Sequence, residues 1–168
     1  MAANEASHTL GHGQILPDSR TATPSLHRGT AHVLHRTGSG NETAAHLGIN
    51  DRLTIMFCAV SGPPLIMRLF GKGRVIRRDS DEFASLLDER FDGNAPLGAR
   101  QMIRLDFDLV QTTCGYCVPL LEYQEERPQM DAWAKAKGVD GIDDYWREKN
   151  QVSLDGFPAG LFETPGER

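Results

Sequence analysis

Between Gln101 and Gln111 apolar and charged side chains take strict turns: Ile103, Leu105, Phe107 and Leu109 share one parity, Arg104, Asp106 and Asp108 the other. A period of two is the mark of a strand with one dry face and one wet face. A strand of this kind needs neighbours for its backbone and a cover for its apolar row, which commits the chain to a sheet. Two earlier segments supply the neighbours. In Leu53–Val60 both parities are apolar, Leu53, Ile55, Phe57 and Ala59 on one side and Met56, Cys58 and Val60 on the other. This strand is expected to be covered on both faces, by an interior on one and by a helix or partner subunit on the other. The Gly62-Pro63-Pro64 turn ends it, and Leu65–Ile76 reads as the returning strand of a hairpin, with Gly71 and Gly73 permitting a bend or close backbone approach.

Helices punctuate the sheet. Asp79 and Glu82 open one whose stripe is Phe83, Leu86 and Leu87, and the run Phe91–Gly98 closes it. Two more are predicted over 128–137 and 141–150, packed onto the sheet by Trp133, Tyr145 and Trp146. Asp106 and Asp108 form a carboxylate pair of the type that serves general acid and base work. With Arg104 beside them they read instead as a solvated charged edge.

The stretch Thr37–Leu47, TGSGNETAAHL, runs a Gly/Ser turn straight into a short helix. Free amides and the helix dipole at such a start suit a phosphate. Ser39 and Glu42 also stand at capping-box spacing, which explains both residues without a ligand, and Glu42 brings negative charge to the place a phosphate would occupy.

TGSGNETAAHL, then RLTIMFCAVSGPP (Arg52–Pro64), MRLFGKGRVI (Met67–Ile76), CGYCVPL (Cys114–Leu120) and WREKNQVSLDGFP (Trp146–Pro158) occur in an order that resembles proteins related to pyridoxamine 5'-phosphate oxidase. The resemblance runs from Val33 to Leu161. It implies a mainly β fold with helices (α+β), a split β-barrel of FMN-binding type, with FMN at the interface of a homodimer. It implies an oxidoreductase in which the turn of Thr37, Ser39, Gly40 and Asn41 lies near the FMN phosphate and Arg68 faces the flavin, a surface ion pair being the other reading of Arg68. Lys72, two pleats along the same face, either extends a positive groove or is simply solvated. No side chain is assigned as an acid or base, the substrate is not read, and no basic cluster suits a second phosphate. Family members carry two strands ahead of the turn. The corresponding residues 1–30 show neither strand alternation nor a helical stripe, so the expected organisation is an atypical or disordered segment 1–30, a barrel domain 31–125 and a helical tail 126–168. The alternative is a degenerate split-barrel binding or scaffold protein that has lost flavin.

The remaining composition narrows the class. Lys plus Arg number 18 against 23 for Asp plus Glu, a formal charge of -5 with no basic stripe, which argues against nucleic acid. No apolar run approaches the roughly 18 residues of a membrane span, and no basic segment with an apolar core opens the chain, so the cytoplasm is expected. All six histidines (His8, His12, His27, His32, His35, His46) fall in the first 46 residues, at spacings that match no compact ligand set; no metal is expected. Cys114 and Cys117 have CxxC spacing, but Pro119 follows and Cys58 belongs to no second pair. They read as a tight loop near the flavin site more readily than as a redox or zinc site. Lys149, Asn150, Ser153, Asp155 and Gly156 fit either a cap over a partner's pocket or a helix stop followed by an Asp-Gly turn.

Overall fold

The computed structural model describes residues 9–10, 13–17 and 28–163. Six strands form one antiparallel sheet: β1 (Thr9–Leu10), β2 (Gly13–Pro17), β3 (Gly29–Arg36), β4 (Arg52–Cys58), β5 (Ile66–Arg77) and β6 (Ala99–Thr113), in the spatial order β1-β2-β3-β6-β5-β4. Helices α1 (Glu42–Leu47), α2 (Asp81–Phe91) and α3 (Gln129–Lys149) complete an α+β fold. Among the described residues no helix is long and apolar enough to cross a membrane.

The strand-free reading of residues 1–30 is corrected at two places. Gly13–Pro17 pairs antiparallel with Ala31–His35, and Thr9–Leu10 pairs with Gly13–Gln14. A strand can be recruited by backbone hydrogen bonds to an otherwise open edge, here β3, without declaring itself by alternation. His8, His12 and His27 lie outside the described residues.

β6 is the spine of the sheet, pairing with β3 on one side and β5 on the other. Its inner row, Ile103 and Leu105, is buried with Ala31 and Leu69, and Leu53, Ile55, Phe57, Met67 and Phe107 pack against that core. The outer row begins with Met102, which meets Leu34 and Ile76 under Phe83, Leu86 and Leu87 of α2. Ser80 caps α2, its hydroxyl accepting from the Phe83 amide at 3.2 Å. Asp92, in the left-handed conformation, ends it.

The expected alternation of β6 holds only as far as Phe107. Gly71 pairs with Phe107 and Phe70 pairs with Leu109, so Asp108 is an extra residue on β6. Such a bulge turns every later side chain to the opposite face. Leu109, expected inside, is 50% exposed, and Val110 packs into the core in its place.

β4 shows the consequence of its double apolar pattern. Leu53, Ile55 and Phe57 point inward, whereas Met56 is 47% exposed and no element among the described residues covers it. α2 therefore covers one end of the outer face; at the other end Met56 and Leu109 are exposed and Phe70 is half-buried, with Arg68 on the same face.

α3 contains the two expected helices, broken at Gly138, whose φ of 67° lies in the left-handed region. Ala134, Ile142 and Trp146 are buried, and Trp133 meets Tyr145 edge to face at 5.1 Å. α1 lays its two small residues Ala44 and Ala45 against Val75 and Ala159 on the inner face.

Candidate functional site

The 37–41 turn is held from two distant stretches of the chain, 98–101 and 146–150. Thr37 is 1% exposed; its amide and hydroxyl both donate to the Gly98 carbonyl at 2.8 Å, and its Oγ1 accepts from Trp146 Nε1 at 2.8 Å. Asn41, fully buried, accepts from Gln101 Nε2 at 2.8 Å. Asn150, fully buried at the end of α3, donates to the Gly38 carbonyl at 3.1 Å and accepts from Arg100 Nη1 at 2.6 Å. Arg100 Nη1 also donates to the Gly40 carbonyl at 3.0 Å.

These bonds change the roles expected within the turn. Thr37 and Asn41 spend their side chains on the fold, leaving Ser39 and Gly40 facing outward. The capping box does not form: the helix is capped by Asn41 with no side-chain bond, because the turn ahead is claimed by Arg100 and Asn150. The Glu42 carboxylate instead accepts from the Leu154 amide at 2.9 Å, and His46 pairs with Asp155 at 2.9 Å. Glu42, His46 and Asp155 bring ligand-type atoms within 4.8 Å of one another, all exposed, as a staple between α1 and the C-terminal turn. In that turn Ser153 donates to Asp155 at 2.6 Å and accepts from the Phe157 amide at 3.0 Å, as the helix-stop reading requires.

Outside the turn lies an open pocket of about 320 Å³ walled by His35, Arg36, Ser39, Glu42, Thr43 and Arg100, with glycine backbone for the rest. No apolar side chain lines it. Arg36 and Arg100 went unremarked in the sequence; register brings them together, since Arg36 pairs with Ala99. Arg100 is 1% exposed, and burial draws its pKa down to about 10.

Arg68 is elsewhere. It pairs with Gln111, whereas the turn adjoins Gln101. At about 3.3 Å per residue this places Arg68 roughly 30 Å along β6 from the turn. Its one hydrogen bond among the described residues goes to the Thr113 hydroxyl at 3.2 Å. Lys72 does not join it; its ammonium meets Asp51 at 2.9 Å on the surface. Asp106, paired to Arg104 at 2.8 Å, and Asp108 are both exposed and solvated, though on the central strand and not at an edge of the sheet. Cys58, Cys114 and Cys117 are exposed free thiols. Gly115 makes the tight loop: a Cβ there would come 2.9 Å from the Leu65 amide nitrogen.

Thr37→Val keeps the shape of this side chain and removes its hydroxyl. With the Trp146 N–H then buried without an acceptor, stability is expected to fall by about 1–3 kcal/mol in urea denaturation. A variant as stable as wild type would show that the hydroxyl does not hold the turn.

The chain is similar to the pyridoxamine 5'-phosphate oxidase family protein ustO of Aspergillus flavus, at 37% identity over 157 residues, which takes in 86% of this chain. The chain spans 62% of that relative's length. No family model and no solved structure matches it.

Proposed function

We propose that this chain, a pyridoxamine 5'-phosphate oxidase-like protein, is an FMN-binding oxidoreductase that works as a homodimer, its sheet forming a split barrel. The observation that carries the reading is the far end of the outer face, where Met56 and Leu109 are exposed, Phe70 is half-buried, and Arg68 on the same face gives its guanidinium to Thr113. An apolar patch accepts the face of an aromatic ring system, and a guanidinium at its margin can donate to ring carbonyls. The 37–41 turn, with Ser39 and Gly40 facing outward, suits the phosphate end. The two places are farther apart than one mononucleotide reaches, so the reading requires Arg68 from one copy and the turn from the other. An exposed apolar face of this kind is also what a second subunit would cover. Bound flavin would supply the electron or hydride transfer; the protein's part is binding, orientation and exclusion of water.

A second reading, a split-barrel binding or scaffold protein without flavin, is favoured by Glu42, whose carboxylate lines the pocket beside the turn. Colour separates the two. Purified protein should show a flavin absorbance band or gain one on titration with FMN, and sedimentation should report a dimer. Arg68→Ala should weaken FMN roughly 10-fold with unchanged melting temperature, the loss of a charge-assisted bond. A folded, colourless protein that ignores FMN would sink the flavin reading.

A further inference from the structure

On the outer face of the sheet the register lines up three basic side chains in one rung: His32 of β3 pairs with Arg104 of β6, and Arg104 pairs with Arg74 of β5. α2 closes over this rung and answers it with one carboxylate. Glu82, in its first turn, takes both Nη groups of Arg74 and stands 3.6 Å from Arg104 Nη1, while Arg104 also meets Asp106 at 2.8 Å. With His32 neutral, two arginines face two carboxylates and the rung balances. His32 itself is 7% exposed, and its Nε2 is buried with no hydrogen-bond partner among the described residues. A neutral ring bears that position at modest cost. An imidazolium must donate from both nitrogens, and at Nε2 it meets no acceptor and a surplus of positive charge. The charged groups around the ring are Arg104 and Asp106 on β6 and Glu82 and Arg90 on α2; β2, on its other side, contributes no titratable residue. Burial first, then Arg104 and Arg90, draws the ring's pKa below its ordinary 6.5, against the weaker opposite pull of Glu82 and Asp106.

We propose that His32 is a pH-sensitive latch for α2: uncharged, it lets the helix close over Leu34, Ile76 and Met102, and charged, it adds a third cation to the rung and lifts the helix off. α2 is suited to this. Phe83 is the one residue of it that is buried, and elements with little buried apolar surface are the first to open. Glu82 stays ionised through the range in which a histidine charges, because its hydrogen bonds to Arg74 hold its carboxyl below the usual carboxylate range. The ring is therefore the member of the rung that changes state. Because the closed helix disfavours the proton, closure is complete above about pH 6.5 and is lost progressively below it. Acid thereby uncovers the apolar patch of Leu34, Ile76 and Met102 that α2 hides at neutral pH.

Hydrogen exchange of the whole chain, followed from about pH 7.5 to about pH 5 and corrected for the intrinsic pH dependence of exchange, tests the latch on the 81–91 amides. In wild type the equilibrium constant for opening α2 should rise by up to about tenfold per pH unit below about 6.5, the limit for one proton, while the β6 amides keep their protection. His32→Leu removes the titrating ring and its buried nitrogen. It should hold α2 closed across the whole range, with protection at neutral pH equal to wild type or better. Arg104→Met, which takes away the cation opposite the ring, should shrink the acid loss. Carbon-13 NMR of the histidine rings in wild type should show His32 titrating below about 6.5. Should His32→Leu fail to fold, the wild-type ring titration and the Arg104→Met profile decide. An acid loss equal in wild type and His32→Leu overturns the proposal, as does a His32 ring that titrates at or above its ordinary value. So does a loss spread evenly over α2 and β6, which is global acid unfolding and no latch.

Discussion

Trp146→Ala should lower the unfolding free energy by about 3–5 kcal/mol, the range for removing a large buried aromatic. The side chain is 3% exposed, closes a cluster with Ala134 and Ile142, and carries the Arg78 guanidinium over its ring at 5.5 Å. Its Nε1 also holds Thr37, so the variant opens a cavity and loosens the 37–41 turn at once. Trp146→Phe separates the two effects, because it fills most of the space and lacks only the donor. A double-mutant cycle of Trp146→Phe with Thr37→Val, read by urea denaturation, should be clearly non-additive, since both remove one hydrogen bond. Additive losses would mean that the bond contributes nothing.

Gly71→Val is expected to abolish folding or cost more than about 3 kcal/mol. A Cβ at Gly71 would stand 2.1 Å from the Asp106 carbonyl oxygen and 2.6 Å from Phe107 Cα. Both neighbours are backbone of β6, so no rotamer change relieves the clash; the two strands must part just where Asp108 is squeezed out of register. Gly138→Ala is the contrasting case. Nothing lies within 4 Å of its Cβ, and only the backbone, φ 67° with ψ −179°, a combination essentially confined to glycine, opposes it, for about 1–3 kcal/mol. Circular dichroism melts of the two variants check the ranking. A Gly71→Ala protein as stable as wild type would refute the pairing of Gly71 with Phe107.

Much of the sheet was legible because side-chain parity is a local signal. The inner rows of β4 and of β6 up to Phe107, and the Phe83, Leu86, Leu87 stripe of α2, could be read a few residues at a time. Leu109 could not, since nothing in its own neighbourhood marks Asp108 as the extra residue; the cause sits on β5, at a glycine that lets the strands approach. The split of α3 was foreseen as a gap between 128–137 and 141–150, and it falls at Gly138. The capping box failed for a long-range reason: spacing is local, and the turn is claimed by Arg100 and Asn150, 60 and more positions away. The pocket's arginines were silent for the same cause. Arg36 and Arg100 are unremarkable as letters and become a pair only through the register of β3 on β6.

The same long-range grip sets an order of events in making the protein. The Gly38 and Gly40 carbonyls, the Arg100 side chain and the Asn150 amide are one bonded unit, drawn from stretches synthesised far apart in time. A nascent chain can zip β3 onto β6 once residue 113 has emerged, yet the turn cannot take its final shape until Asn150 arrives to lock it. The pocket is thus among the last features to mature, and a ligand that needs it meets only a chain whose sheet is already built.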